Sequence, residues 1–270
     1  MGHGIAQVAA TAGYQTRLTD ASPEALSTAT SRIASNLAGA VERSKITKEG
    51  ADAATARIAT ISDLATAVRD ADLVVEAVAE SLVVKEDLFQ QLDAIVSDEA
   101  ILATNTSSLS VTRIAKATRR PERIVGMHFF NPVHIMKLVE VIAHAQSDPA
   151  IIAAARAVAG QMGKTTILVR DTPGFASSRL GVVLGLEAMR MVEQGVASAA
   201  DIDTAMELGY GHPMGPLRLT DLVGLDVRLH IAEYLHRELH DPKFEPPGIL
   251  REKVQRGELG KKTNRGFYEW

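Results

Sequence analysis

Leu73-Val74-Val75-Glu76-Ala77-Val78, then a helical stretch from Val84 to Ile95, then Ile101-Leu102-Ala103-Thr104 read as strand, helix and strand in close succession. Short apolar runs rich in Val and Ile suit a strand buried on both faces, and the longer stretch between them suits a covering helix. The pattern extends both ways. Further strands are predicted at Thr16 to Asp20, Ile58 to Ile61, Ile124 to Phe129, Lys137 to Ile142 and Thr165 to Val169. Helices are predicted at Gly4 to Ala12, Pro23 to Arg43, Val111 to Ala117 and Pro149 to Met162. Ser22-Pro23 supplies an N-cap and a first-turn proline, while Gly13 and Gly163 follow helix ends. Such alternation predicts a parallel sheet with helices on both faces.

Beyond Asp171-Thr172-Pro173-Gly174 the strands stop. Helices are expected over Phe175 to Gln194, Ala199 to Leu208, Arg218 to His240 and Gly248 to Arg256, with Ser198 and Asp201 forming a capping box. The predicted organisation is therefore an α/β domain over residues 1–170 and an all-α domain over 171–270.

Composition narrows the function classes. The net charge of −4 carries no basic excess for nucleic acid or an anionic membrane. No apolar run is long enough for a membrane span, and no signal peptide is visible. Cysteine is absent, which removes disulfides, thiol nucleophiles and Cys-based zinc sites and agrees with a cytoplasmic location. Chemistry must rest on Ser, His, Asp, Glu, Lys or a bound cofactor.

The chain opens Met1-Gly2-His3-Gly4-Ile5-Ala6, running straight into an Ala-rich helix, and Asp20 closes the strand that follows. A glycine at a helix start and an acidic residue near that distance are the last two elements of a Rossmann-type dinucleotide site. The helix end faces the pyrophosphate and the carboxylate takes the ribose hydroxyls, favouring NAD over NADP. The strand that precedes these elements, with its first two glycines, is not in the sequence. We expect the gap to leave two facing sheet edges and an apolar void under the first helix, and the stated start to be truncated or misassigned by roughly a dozen residues. An in-frame stop just upstream of the Met1 codon would exclude that.

Ile124 to Ile142 holds the chemistry. His128 ends one apolar run, Glu140 lies inside the next, and Asn131-Pro132 turns the chain between them. Antiparallel pairing of the runs would set His128 beside Glu140, an arrangement that fixes one imidazole tautomer and tunes its basicity. Thr104-Asn105-Thr106-Ser107-Ser108 follows another strand, at the sheet edge where doubly wound folds bind ligands. A hydroxyl donor, a His base and a carboxylate at a nicotinamide suffice to oxidise a secondary alcohol.

These segments, with Val74-Val75-Glu76-Ala77-Val78, Lys137-Leu138-Val139-Glu140-Val141, Asp171-Thr172-Pro173-Gly174-Phe175 and Leu259-Gly260-Lys261-Lys262-Thr263, resemble the L-3-hydroxyacyl-CoA dehydrogenase family over nearly the whole chain. The resemblance implies a Rossmann-type doubly wound sheet, first strand missing, followed by a helical substrate and dimerisation domain. It implies NAD as cofactor, an acyl-CoA substrate, a homodimer through the C-terminal helices, and oxidation of an L-3-hydroxyacyl-CoA such as 3-hydroxybutyryl-CoA to the 3-ketoacyl-CoA. On the matching positions His128 would be the base, Glu140 its partner and Ser107 the donor to the 3-oxygen. Gly2, Asp20, Glu80, Lys85 and Asn105 would bind the cofactor, and Asn131 and Ser178 would join Ser107 at the substrate. Ser178 departs from the family's asparagine, and Asn264 stands where a glycine is usual. A serine still donates and accepts, so substrate fit or rate would change before the chemistry does.

Plainer readings stand beside these. His134 suits a surface or lining role, and His236 with His240, spaced i, i+4, lacks a third metal ligand. Lys85 and Glu86 fit ordinary first-turn positions, and Lys45 and Lys48 fit either solvent or coenzyme A phosphates. Ser107 and Ser108 also fit a helix cap, and Leu186, Met189 and Met191 fit core or dimer contact. The rival functions are a related dehydrogenase of a small hydroxy acid without coenzyme A, and a non-catalytic protein that keeps the fold.

Overall fold

The structure, a computed structural model, describes residues 1–270. The chain divides into two units, Met1–Asp171 and Thr172–Trp270.

In the first unit the elements run α1 (Gly2–Thr11), β1 (Thr16–Leu18), α2 (Pro23–Glu42), α3 (Lys48–Ala56), β2 (Ile58–Thr60), α4 (Leu64–Val68), β3 (Leu73–Glu76), α5 (Leu82–Ile95), β4 (Ile101–Thr104), α6 (Val111–Lys116), β5 (Ile124–Phe129), β6 (Leu138–Ala143), α7 (Pro149–Gln161) and β7 (Thr165–Arg170). Every expected strand forms. β3, β4 and β5 are parallel neighbours, β6 joins β5 antiparallel, and β7 runs parallel to β6 at the far edge. β1 and β2 pair in parallel as a separate ribbon. No strand joins the ribbon to the main sheet, so β1 and β3 each keep an open edge. A cavity of about 820 Å³ touches both edges and the underside of α1, lined by Ile5, Ala9, Leu18, Val75, Val158 and Met162 among others. This is the void expected from the sequence.

One face of the main sheet closes over a core of Val125, Met127, Val139 and Val141 with Ile5 and Val8 of α1 and Ile151 and Ala155 of α7. Full burial of such side chains contributes about 1.5–3 kcal/mol each. Ser22 caps α2 as expected, accepting from the Ala25 N–H. Helices α3 and α4 were not anticipated. They are short and Ala-rich, with little apolar periodicity, but Thr47 and Asp63 cap them by accepting from the Gly50 and Thr66 N–H groups.

The second unit is helical: α8 (Ser177–Glu193), α9 (Ala199–Tyr210), α10 (Pro216–Val223), α11 (Leu225–Leu239) and α12 (Gly248–Gln255). The single helix expected over Arg218 to His240 is divided at Gly224, whose φ of +105° breaks the α-helical backbone. Its core joins Val182, Leu186 and Met189 to Leu217, Leu225, Leu235 and Phe244. Buried Asp221 on α10 accepts from the N–H groups of Phe267 and Tyr268 and from the Trp270 indole, pinning the C-terminal tail. No helix is long and apolar enough to cross a membrane.

Candidate active site

The pairing of β5 with β6 sets His128 directly opposite Glu140. Nδ1 of His128 lies 2.8 Å from Oε2 of Glu140, in a position where the carboxylate is wholly buried and the imidazole is 7% exposed. An ionised carboxylate only accepts, so Nδ1 donates and the lone pair is left on Nε2. The Phe130 ring lies 4.4 Å from the imidazole, centroid to centroid. A cis Asn131–Pro132 bond follows.

The loop after β4 is held against this strand end. Asn105 Oδ1 accepts from the Phe129 N–H at 2.8 Å, one residue past His128. Ser107 donates to Glu80 through its backbone N–H at 2.8 Å and its hydroxyl at 3.1 Å, and Thr106 Oγ1 donates to the same oxygen at 2.6 Å. Burial works to raise the Glu80 carboxyl, but the Thr106 and Ser107 hydrogen bonds and the Lys85 charge outweigh it and hold the group below its ordinary range. Asp171 fixes the next turn, accepting from the backbone N–H groups of Val111 and Thr112 at the start of α6.

Lys85, in the first turn of α5, is buried, 2.6 Å from Glu76 and 3.4 Å from Glu80. Its charge organises the loop that carries Glu80. Glu76, at the end of β3, is the residue the sequence reading passed over: it accepts from Lys85, from Thr104 Oγ1 at 2.7 Å and from the Val78 N–H. The available signal was a carboxylate inside an apolar strand run, where an unpaired charge is too costly to keep. Replacing Lys85 with Met leaves the Glu76 carboxylate buried without its cation. The expected loss is about 3–5 kcal/mol, read as a lower urea midpoint. An unchanged midpoint would show that the pair is not structural.

The cofactor end is assembled around α1. Its first turn has no side-chain cap; the Gly4 N–H turns back to the Met1 carbonyl, which leaves the Gly2 and His3 N–H groups as donors for an anion. A cavity of about 320 Å³ there is lined by His3, Gly4, Arg32, Asn131 and His134. Burial chiefly, and then the N-terminal ammonium, Arg32 and His134, hold the His3 imidazole below its ordinary pKa. A Cβ on Gly4 would stand 2.9 Å from Val133 Cβ, so the close approach of helix and loop requires glycine. Gly2 and Asp20 both line the larger cavity, and the Asp20 carboxylate also closes a turn by accepting from the Ser22 N–H. These residues fit a dinucleotide, with backbone donors and Arg32 for phosphate and Asp20 for ribose. Asn131 lines the smaller cavity beside α1, whereas Ser178 lies in the first turn of α8 in the second unit. Lys48 pairs with Asp52 on the exposed face of α3. No cluster of His, Asp and Glu is placed to hold a metal ion.

A sheet of mostly parallel strands flanked by helices, followed by a helical unit, is the fold of the NAD-dependent dehydrogenases that the chain matches. Residues 1–172 match the family model for the 3-hydroxyacyl-CoA dehydrogenase NAD binding domain, and 174–270 match that for its C-terminal domain. The chain belongs to the 3-hydroxyacyl-CoA dehydrogenase family. It is 45% identical over 270 residues to a probable 3-hydroxybutyryl-CoA dehydrogenase of Bacillus subtilis, covering all of this chain and 94% of that one. It is 41% identical over 276 residues to the human mitochondrial hydroxyacyl-coenzyme A dehydrogenase, covering 88% of it. The crystal structure of (S)-3-hydroxybutyryl-CoA dehydrogenase PaaH1 from Ralstonia eutropha superposes with a TM-score of 0.96 at 40% identity, over all of this chain and 95% of that one.

Proposed function

We propose that the protein oxidises L-3-hydroxyacyl-CoA reversibly to 3-ketoacyl-CoA, with His128 as the general base and Glu140 as its orienting partner. The observation that carries this reading is the buried 2.8 Å contact between His128 Nδ1 and Glu140, in a family whose relatives bear 3-hydroxybutyryl-CoA dehydrogenase names. Nε2 takes the proton of the 3-hydroxyl as the alcohol becomes a ketone, and returns it in the reverse direction. Glu140 stabilises the imidazolium that forms and keeps the ring from turning. The Ser107 hydroxyl turns from Glu80 to donate to the 3-oxygen when substrate binds, while its backbone N–H stays on Glu80, and Asn105 holds β4's loop to the β5 end that carries the base. Bound NAD supplies the hydride acceptor, and Gly2, Asp20, Arg32 and the α1 N-terminus hold it. Glu80 and Lys85 shape the loop facing its nicotinamide half. Asn131 and Ser178 complete the ligand contacts, with the second unit serving substrate binding and dimerisation in a cytoplasmic homodimer.

The test is a substrate panel with purified protein: acetoacetyl-CoA with NADH against small keto acids lacking coenzyme A. Turnover of the keto acids alone would move the assignment to the rival dehydrogenase. Glu140→Gln is expected to reduce kcat by about 10–100-fold, less than loss of the base itself, because it orients and tunes without transferring the substrate proton. A Glu140→Gln enzyme with wild-type kcat and pH profile would remove Glu140 from the site.

A further inference from the structure

The mechanism leaves two histidines unused, and both line the small cavity beside α1. His3 lies in the first turn of α1 and His134 in the loop after the cis Asn131–Pro132 bond, and they share the space of about 320 Å³ with Arg32 and Asn36 of α2. All of these residues belong to the first unit. The packing fixes the cluster. A Cβ on Gly4 would meet Val133 Cβ at 2.9 Å, so α1 and the loop touch at the residues next to His3 and His134. Asn36 Nδ2 donates to Gln7 Oε1 at 3.0 Å and holds α2 against α1, with Arg32 one turn before it. Lys164, at the turn into β7, donates to the Val133 and Met136 carbonyls and so holds the loop that carries His134.

The charge around the cavity has one sign. The charged groups acting on His3 are the Met1 ammonium, Arg32 and His134, and those acting on His134 are Arg43 and Lys164. No carboxylate lines the cavity. Burial first, and then these cations, hold both imidazoles below their ordinary pKa, so both rings are mostly neutral at pH 7. A pocket that gathers cations and withholds every counter-charge suits an anion. The arrival of that anion reverses the field: it offsets Arg32, Arg43 and Lys164 and favours the protonated ring. Both nitrogens of an imidazolium donate, whereas a neutral ring offers one donor and one acceptor. A diphosphate ester suits the cluster better than a carboxylate, since it brings two charges and several acceptor oxygens to several cations.

We propose that His3 and His134 are binding residues for a diphosphate ester, and that they take up protons as the diphosphate enters the cavity. The proposal rests on the NAD and acyl-CoA reading above, both of which carry that group, and adds how binding responds to pH. Above the pKa that the rings reach with ligand bound, neither the free nor the bound protein holds the extra protons, and affinity does not vary with pH. Below it, binding tightens as the pH falls, by up to about tenfold per pH unit for each proton taken up, and levels off once the free protein is protonated as well.

The test counts protons. NAD and 3′-dephospho-CoA, neither of which titrates near neutral pH, are each titrated calorimetrically into the full chain in buffers of unlike ionisation enthalpy. Near pH 6.5 the wild type is expected to take up about one proton per diphosphate bound, and affinity is expected to rise about fivefold from pH 7 to pH 6. His3→Gln and His134→Gln are each expected to lose part of the uptake, and the double variant nearly all of it, with an affinity that no longer follows pH. Should the double variant fail to fold, the single variants decide. Uptake with NAD places the cofactor's diphosphate in the cavity, and uptake with 3′-dephospho-CoA alone places the substrate's there; either supports the proposal. Binding without proton uptake overturns it and leaves the NAD and acyl-CoA reading standing, whereas a folded chain that binds neither ligand removes both. Uptake unchanged in the variants also overturns it and assigns the proton to the Met1 amine.

Discussion

Replacing His128 with Gln is expected to lower kcat for acetoacetyl-CoA reduction by about 10³-fold, within the span that a positioned acid–base group contributes. Gln is close to His in size and its amide can still donate to Glu140, so the β5–β6 pair keeps its packing and its buried carboxylate keeps a donor. What disappears is the ring nitrogen facing away from Glu140, the atom proposed to take and return the substrate proton. NADH binding, followed by fluorescence, is expected to change little, because the residues that fit the dinucleotide lie on α1, α2 and the turn after β1. Activity within tenfold of wild type would place the base elsewhere. Loss of NADH binding would mean that the substitution damaged the fold and not the chemistry.

The second large effect is expected from closing the sheet. An N-terminal extension of one apolar strand and a Gly-x-Gly turn, about a dozen residues, would enter between β1 and β3 and pair with both open edges. It would cover Ile5, Leu18, Val75 and Met162, which now line a cavity of about 820 Å³, and would bring further backbone donors to the α1 N-terminus. Interiors otherwise pack like organic crystals, and voids of this kind are penalised. The extended chain is expected to melt several degrees higher, at about 2–4 °C for each kcal/mol gained, and to bind NADH more tightly. A control extension with proline at the strand centre cannot donate to the ladder and is expected to do neither. Equal melting and NADH affinity in both extended chains would show that the gap does not limit the fold.

Much of this was legible in the residues. Runs such as Ile101–Thr104 and Ile124–Phe129 are buried on both faces, so apolar continuity marked them, and the structure begins and ends these strands at those residues. The His128–Glu140 meeting followed from two apolar runs joined by Asn131–Pro132, since antiparallel pairing across a turn fixes the register. Helices α3 and α4 escaped because Ala-rich turns held by caps carry little periodicity. The break at Gly224 escaped because both sides of it are apolar at helical spacing, and only the backbone angle distinguishes a bend from a continuation. The burial of Lys85 was not legible: nothing in its local spacing says that its ammonium turns inward to Glu76.

The most direct measurement of the central claim is the loss of NADH absorbance on adding acetoacetyl-CoA to the purified protein, with NADPH and the His128→Gln variant in parallel. Turnover with NADH, weak turnover with NADPH because Asp20 repels a 2′-phosphate, and near-silence in the variant are the predicted results. A folded protein that binds NADH but leaves its absorbance unchanged, both alone and with the extended strand in place, would contradict the account.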